Sequence, residues 1–210
     1  MWSWINDAVA LVADHPDWAL AVAFLAAIIE AVAILGTVIP GTFILMAIAG
    51  AAAAAGHSIL LYLVVAIAGA VIGDFLSYWV GYRYRFSIRQ SWPLSKNPQL
   101  LAGADRFFHR FGSYSVALCR FVPVLRSTVP LAAGIAGMDR RRFLIANVLS
   151  AFAWAPSHVC PAQLAGLSFD RIRAGDWETA ALWGGALVLC CIAVWMLHRR
   201  LTPVLAAARR

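Results

Sequence analysis

The stretch Ala117-Leu-Cys-Arg-Phe-Val-Pro-Val-Leu-Arg-Ser-Thr-Val-Pro130 places two arginines and two prolines inside an otherwise apolar run. A charged side chain at the centre of a bilayer costs about 2.5 to 3.5 kcal/mol on insertion scales, so it normally faces a partner, a cavity or an anionic ligand. Pro123 and Pro130 oppose a continuous helix through this stretch. Because interrupted backbone at membrane depth must be satisfied by protein or water, the pattern predicts a polar site inside a membrane protein.

The composition of the chain also indicates an integral membrane protein. Of the 210 residues, 62% are hydrophobic and 13% are charged, whereas about 25% of residues are charged in a typical soluble domain. The net charge of +7 comes from basic clusters beside apolar segments, a pattern that orients membrane proteins with these clusters in the cytoplasm. We therefore expect no nucleic-acid partner. The clusters contain Arg83, Arg85, Arg89, Lys96, Arg106 and Arg110, then Arg140 to Arg142, then Arg199, Arg200, Arg209 and Arg210.

The apolar runs predict an all-α, polytopic protein with about three to four spanning helices. The first run, 18–55, is too long for one span and is interrupted at Gly36 and at Pro40-Gly41, so it must form two pieces. Three later runs are long enough to cross the hydrocarbon core: 58–80, 143–169 and 179–197.

The same runs predict the domain organisation. Residues 18–198 form one membrane domain, residues 1–17 an N-terminal interfacial segment, and residues 199–210 a basic cytoplasmic tail. The first segment carries three aspartates and no basic region, so a cleavable signal peptide is not expected.

Two opposed re-entrant hairpins are predicted from the breaks and the flanking charges. Residues 112–138 have basic clusters on both sides, so they should enter and leave from the cytoplasm, with breaks at Pro123 and Pro130. The first run should form the opposite hairpin, with its break at Pro40 and Gly41. Opposed hairpins with paired spanning helices are typical of inverted-repeat transporters, whose site lies near the midplane. A weak sequence similarity between 72–79 and 145–152 favours such a repeat.

Arg120 and Arg126 are candidate phosphate-binding residues, because a guanidinium stays charged and its forked donors match phosphate oxygens. Alternatively, they form internal ion pairs with Glu30 and Asp74, and the two interpretations can coexist. Glu30 lies among apolar residues, so it is a candidate for proton coupling or for an ion pair.

Two further residues leave alternatives open, whereas no metal site is expected. Asp74 is either a second acid or an acceptor for hairpin backbone. Thr42, after Gly41, either caps a helix or helps an anion to bind at that helix N-terminus. His158 lacks a second ligand at metal-binding spacing, and the four cysteines form no Cys-x-x-Cys pair, so no metal and no cofactor is expected.

The spacing of these residues resembles the DedA family, also called the SNARE-associated or VTT-domain family. The resemblance covers roughly residues 18–166 and rests on the following positions: Glu30, Pro40-Gly41, Gly73-Asp74, Tyr78, Gly81, Phe111-Gly112, Arg120 to Pro123, Arg126, Pro130, Ala133-Gly134, Met138, Phe143, Asn147 and Trp154. It implies a bacterial inner-membrane protein that returns undecaprenyl phosphate or related lipid phosphates across the membrane. It also implies functional roles for Glu30, Arg120 and Arg126. Thr42 departs from the family pattern, because many members carry a carboxylate there.

Three classes of function remain open from the sequence. The first is a flippase for an anionic lipid phosphate, with arginines that clamp the phosphate. The second is an enzyme acting on lipid phosphates, which is disfavoured because no His pair or Asp cluster is present for that chemistry. The third is a phospholipid scramblase, a small-ion or proton-coupled transporter that supports membrane homeostasis, or a scaffold that alters membrane assembly indirectly. The sequence leaves open whether copies associate as a homo-oligomer.

Overall fold

The computed structural model describes residues 3–32, 35, 41–85, 87, 112, 114–120 and 123–206. These residues form helices and the turns between them, with no strand in the described ranges. The helices are α1 (Ser3–Asp14), α2 (Pro16–Ala31), α3 (Gly41–Ala54), α4 (Ile59–Arg83), α5 (Tyr114–Cys119), α6 (Pro123–Ile135), α7 (Arg140–Arg173) and α8 (Trp177–Ala206).

Within the described ranges, α4, α7 and the Trp177–Met196 part of α8 are long and apolar enough to cross a membrane. This confirms the all-α membrane protein and three of the expected spans. About a third of the apolar window of α4 and 39% of that of α7 is buried inside the protein, but only 6% of that of α8. The first two spans therefore form the centre of the fold, and α8 lies at its periphery, packed mainly along α7.

The described residues of the first apolar run include two helices, α2 and α3, and α2 ends earlier than expected. The sequence pointed to Gly36 as the first interruption, whereas α2 ends at Ala31 and Val32 already has extended backbone, with φ −74° and ψ 130°. A β-branched residue gives only a weak signal for such a change. α3 begins at Gly41, and both Gly36 and Pro40 lie outside the described residues.

The described residues of the second interrupted run also include two helices, α5 and α6, and the two prolines differ in their roles. α6 begins at Pro123, where a missing N–H is tolerated because first-turn amides have no helical partner. Pro130 lies inside α6, so its assignment as a hairpin break is wrong. Proline in a helix removes the hydrogen bond to the carbonyl four residues earlier, here that of Arg126, without ending the helix.

Glycine and alanine let the helices approach closely. A Cβ atom on Gly134 would collide with the carbonyl oxygen of Tyr78, and one on Gly81 with that of Leu131, so α6 and α4 meet backbone to backbone. Gly166 and Gly50 make the corresponding close contact between α7 and α3. Such small residues are typical of helix interfaces in membranes, where dispersion contacts rather than water exclusion hold helices together.

The turn between α6 and α7 is fixed from both sides. Gly137 has φ 73°, which a side chain would strain, and the amide of Met138 donates to the carbonyl of Ala133 at 3.0 Å. Asp139 then caps α7 by accepting from the amide of Arg142 at 3.0 Å. The Tyr78 hydroxyl donates to the carbonyl of Met138 at 2.6 Å, which ties the turn to α4.

Candidate functional site

Three helices meet at an ion pair between Arg126 of α6 and Glu30 of α2. Arg126 Nη1 lies 2.7 Å from Glu30 Oε1, and the two side chains are 12% and 10% exposed. Thr42 of α3 donates its hydroxyl hydrogen to the same Glu30 oxygen and lies 3.5 Å from Arg126 Nη1. We call Arg126, Glu30 and Thr42 the Arg126 site.

Gly41 makes this meeting possible. A Cβ atom there would collide with the carbonyl oxygen of Ala26 and lie 2.9 Å from Glu30 Cβ. Only glycine lets the N-terminus of α3 come this close to the last turn of α2. The first-turn amides of α3 carry partial positive charge, so the end of the helix itself favours an anion near Thr42.

Trp154 of α7 adds an aromatic surface to the Arg126 site. The guanidinium carbon of Arg126 lies 5.0 Å from the centre of the indole, which is fully buried. A cation at this distance is attracted to the negative face of the ring. Trp154 Nε1 and Glu30 Oε2 are both buried without a hydrogen-bond partner among the described residues. One donor and one acceptor of this site therefore keep unused hydrogen-bonding capacity.

Arg120 forms a separate and more closed cluster. Its Nη2 donates to Asp74 Oδ2 at 2.6 Å and also to Asn147 Oδ1, and the Arg120 and Asp74 side chains are 3% and 5% exposed. Asn147 Nδ2 in turn donates to the carbonyl of Val71 at 3.0 Å. The Arg120 cluster, made of Arg120, Asp74 and Asn147, therefore joins the turn after α5 to α4 and α7.

The structure thus brings together most of the residues singled out in the sequence, but in two groups. Glu30, Thr42 and Arg126 meet at one, and Asp74 and Arg120 at the other. Of the two arginines considered as partners of Glu30, Arg126 is the one in contact. Asn147 belonged to the sequence motif without an assigned role. The available signal was the weak internal similarity between 72–79 and 145–152, in which Asn147 aligns with Asp74.

Trp154 and His158 are the other site residues that sequence reasoning did not assign. Their spacing of four residues places them on one face of a helix, which was the available signal. The two ring centres are 4.9 Å apart. Among the described residues, no group of three or more His, Cys, Asp or Glu side chains is arranged to hold a metal ion.

A family model for the VTT domain matches residues 39–163, which is more than half of the chain. The chain belongs to the VTT-domain family, which is also the DedA family. The match includes both arginines, Thr42, Asp74 and Trp154, whereas Glu30 lies before it. Residues of the family region therefore form most of both polar clusters.

Bacterial membrane proteins are among the similar chains. The inner membrane protein YabI of Escherichia coli is 29% identical over 180 residues, which cover 85% of this chain and 69% of YabI. The protein DedA of the same species is 30% identical over 149 residues, 69% of this chain and 67% of DedA. An uncharacterized membrane protein of Mycobacterium tuberculosis is 33% identical over 132 residues, 61% of this chain and 58% of its own length.

No solved structure matches the chain. The family, the inner-membrane relatives and the three apolar spans identify a multi-pass protein of the bacterial inner membrane. A role of this VTT-domain protein in membrane transport or membrane homeostasis is consistent with these relationships.

Proposed function

We propose that this protein moves an anionic lipid phosphate across the inner membrane, with undecaprenyl phosphate or a related polyprenyl phosphate as the substrate. The observation that carries the proposal is the ion pair of Arg126 with Glu30, which is buried but not fully enclosed. The lipid is carried without chemical conversion, so the protein is not an enzyme in this proposal. Its partners are the substrate and the surrounding lipids, with no nucleic acid.

The proposed step is an exchange of anions on Arg126. In the absence of substrate, the Glu30 carboxylate neutralises the guanidinium at 2.7 Å. A phosphate offers oxygens that accept two parallel N–H bonds, so it can replace the carboxylate on the same fork. The unsatisfied Trp154 Nε1–H and the first-turn amides of α3 supply further donors for phosphate oxygens.

The protonation state of Glu30 then controls whether this exchange of anions occurs. A carboxylate that leaves its arginine inside the membrane is expensive as an ion, so its release is favoured by protonation. Proton coupling through Glu30 is therefore part of the proposal. Asp74 has the structural role in it, because it already pairs with Arg120 at 2.6 Å with almost no exposure.

Arg120 is proposed to support the site rather than to clamp the substrate. Its side chain donates to two partners, Asp74 and Asn147, and the pair with Asp74 is less exposed than the pair of Arg126 with Glu30. Displacing such a closed pair leaves a buried, uncompensated carboxylate, which is strongly unfavourable. Replacing the carboxylate of Glu30 on Arg126 by a phosphate therefore costs less free energy than replacing the carboxylate of Asp74 on Arg120.

The proposed architecture has two re-entrant hairpins that meet between the spans. The arms are α2 and α3 in the first, and α5 and α6 in the second, with 16, 14, 6 and 13 residues. At 1.5 Å per residue, the longest of them extends about 24 Å, less than the roughly 30 Å of hydrocarbon. Short arms that end near Glu30 and Arg126 would place the Arg126 site at membrane depth.

The helix contacts are consistent with an inverted repeat of hairpin and span. The second arm of each hairpin packs on the span of the other half, α3 on α7 and α6 on α4. Both of these interfaces contain glycines in backbone contact. In transporters of this kind, rocking of one half against the other exposes a fixed central site to each side in turn.

The test is transport in proteoliposomes with a labelled polyprenyl phosphate and, separately, with a zwitterionic phospholipid. Wild type should move the polyprenyl phosphate, and Arg126→Lys should fail almost as completely as Arg126→Ala, because lysine lacks the planar fork. Arg141→Lys, an exposed arginine at the start of α7, is the matched control and should transport normally.

Three outcomes would contradict the proposal. Equal transport by wild type and Arg126→Ala at equal protein levels would show that the clamp is not used. Transport of the zwitterionic lipid at the same rate as the phosphate would favour the alternative, a phospholipid scramblase. Ion flux without any lipid movement would favour a small-ion transporter.

A further inference from the structure

His158 and Arg126 both lie beside the indole ring of Trp154. Its imidazole centre lies 4.9 Å from the centre of the indole, and the guanidinium carbon of Arg126 lies 5.0 Å from the same ring. Trp154 is fully buried, so both contacts are held in a packed environment. His158 itself is only partly buried.

The hydrogen bonds of His158 assign its neutral tautomer. Nδ1 lies 2.9 Å from the carbonyl oxygen of Trp154 and 2.9 Å from Ser157 Oγ. A carbonyl oxygen only accepts, and Ser157 Oγ already donates to that carbonyl at 2.7 Å, so the ring hydrogen is assigned to Nδ1. The lone pair then belongs to Nε2, which is the nitrogen able to accept a proton.

The charges that act on this imidazole belong to the Arg126 site. Arg126 and Glu30 both interact with it electrostatically. Of the helices packed against α7, α3 carries no ionisable side chain, and α4 brings Asp74, which Arg120 holds. The remaining ionisable groups on the described neighbours of α7 are Tyr62, Tyr78, Tyr82 and Arg83 on α4, Tyr114 and Cys119 on α5, and Glu178, Cys190, Cys191, His198, Arg199 and Arg200 on α8.

The charge balance changes when a phosphate binds. Arg126 and Glu30 neutralise each other in the unbound site, whereas a lipid phosphate brings a charge of about −1.5 to −2. One guanidinium leaves this group undercompensated in a medium of low dielectric constant. A proton on Nε2 of His158 would add one positive charge beside the same indole ring that Arg126 contacts.

We propose that His158 is a positioning residue of the Arg126 site that takes up a proton when a phosphate anion binds there, so that anion binding is linked to protonation. This inference rests on the proposed lipid-phosphate site. The proton comes from bulk water, adds to Nε2 to form the imidazolium, and returns to water when the phosphate leaves. Nδ1–H keeps its bond to the Trp154 carbonyl in both states.

The direction of the pH effect follows from this linkage. A histidine that gains an anionic partner holds its proton more tightly in the bound state, so its contribution is fully present at acidic pH and is lost as the pH rises. One extra charge at about 10 Å with an effective dielectric constant near 20 strengthens anion binding on the order of tenfold.

The experiment measures the Kd of farnesyl phosphate for the full chain in phosphatidylcholine nanodiscs at pH 5.5 and pH 8.0. Wild type should bind on the order of tenfold more tightly than His158→Gln at pH 5.5 and about equally at pH 8.0. Glutamine can still donate to the Trp154 carbonyl but does not titrate. Because the same probe is used for both proteins, its own protonation cancels in the ratio.

Two further variants make the result decisive. His57→Gln, in the turn before α4, should follow wild type at both pH values. If the glutamine variant is poorly folded by thermal unfolding, His158→Phe keeps a ring beside Trp154 without a titrating group and should give the same ratios.

The outcomes separate this inference from the proposed function. Affinity lost equally at both pH values, or unchanged at both, would overturn the role of His158 while leaving the phosphate site intact. Undiminished binding by Arg126→Ala would instead overturn the phosphate site, and the His158 inference would fall with it.

Discussion

At the residue scale, the two arginines differ in how completely their partners enclose them. Arg120 bonds to Asp74 and Asn147 with side-chain exposures of 3% and 5% for the ion pair, whereas the Arg126 pair has 12% and 10%. A buried ion pair contributes little relative to apolar residues of the same size, but removing one partner strands the other charge. Loss of Arg120 should therefore affect stability differently from loss of Arg126.

We expect Arg120→Ala to lower the free energy of unfolding by about 3 to 5 kcal/mol, because it leaves Asp74 buried and unpaired. The double variant Arg120→Met with Asp74→Leu should recover part of this loss, since no charge is stranded. The measurement is thermal unfolding in a mild detergent at constant protein concentration.

Arg126→Ala provides the comparison, because its partner Glu30 is slightly more exposed. It should destabilise the protein less than Arg120→Ala while abolishing transport. Equal unfolding temperatures for Arg120→Ala and wild type would mean that the Arg120 cluster is not structural.

At the scale of the elements, glycines set the distances between helices. Gly134 of α6 faces the carbonyl of Tyr78, and its added Cβ would also lie 2.7 Å from the amide nitrogen of Tyr82. Backbone atoms cannot move aside as a flexible side chain can. The spacing between α6 and α4, which positions Arg126, therefore depends on this residue.

We expect Gly134→Ala to destabilise the protein by about 1 to 3 kcal/mol through overpacking, and to weaken transport because α6 carries Arg126. The free energy of unfolding and the transport rate should be measured on the same preparation.

Gly184→Ala in α8 is the matched control, because its added Cβ meets nothing within 4 Å. Alanine is the better helix former by up to about 1 kcal/mol, so this variant should be neutral or slightly more stable. Equal stability and transport of Gly134→Ala and Gly184→Ala would contradict the role of Gly134 in the close packing of α6 on α4.

At the scale of the whole molecule, the proposed topology places both ends of the second hairpin in the cytoplasm. Basic residues flank residues 112–138 on both sides, and the arms α5 and α6 are each too short to span. The turn between α3 and α4 should then lie on the opposite side.

Cysteine labelling tests this topology in a variant without the four native cysteines. Tyr114→Cys and Arg141→Cys, both at exposed positions, should react with a membrane-impermeant reagent only from the cytoplasmic side, and His57→Cys only from the outer side. Labelling of Tyr114→Cys and Arg141→Cys from opposite faces would show that residues 112–138 cross the bilayer.

The class of the fold and the identity of most polar residues in the site could be predicted from the amino-acid sequence. Continuous apolar runs of limited length dictate helices in a membrane, and their lengths alone require that the run 18–55 be divided. Arginine and glutamate are so unfavourable in hydrocarbon that Glu30, Arg120 and Arg126 stand out without any structure.

How these residues pair depends instead on the packing of helices that are distant in the sequence. Glu30 and Arg126 are 96 positions apart, and no local pattern distinguishes Arg126 from Arg120 as its partner. The choice depends on where α2, α3 and α6 meet, which Gly41 and the glycines between α4 and α6 control through backbone contact. Pro130 was misread for a related reason: packing against α4 holds α6 together through a residue that would weaken the same helix in isolation.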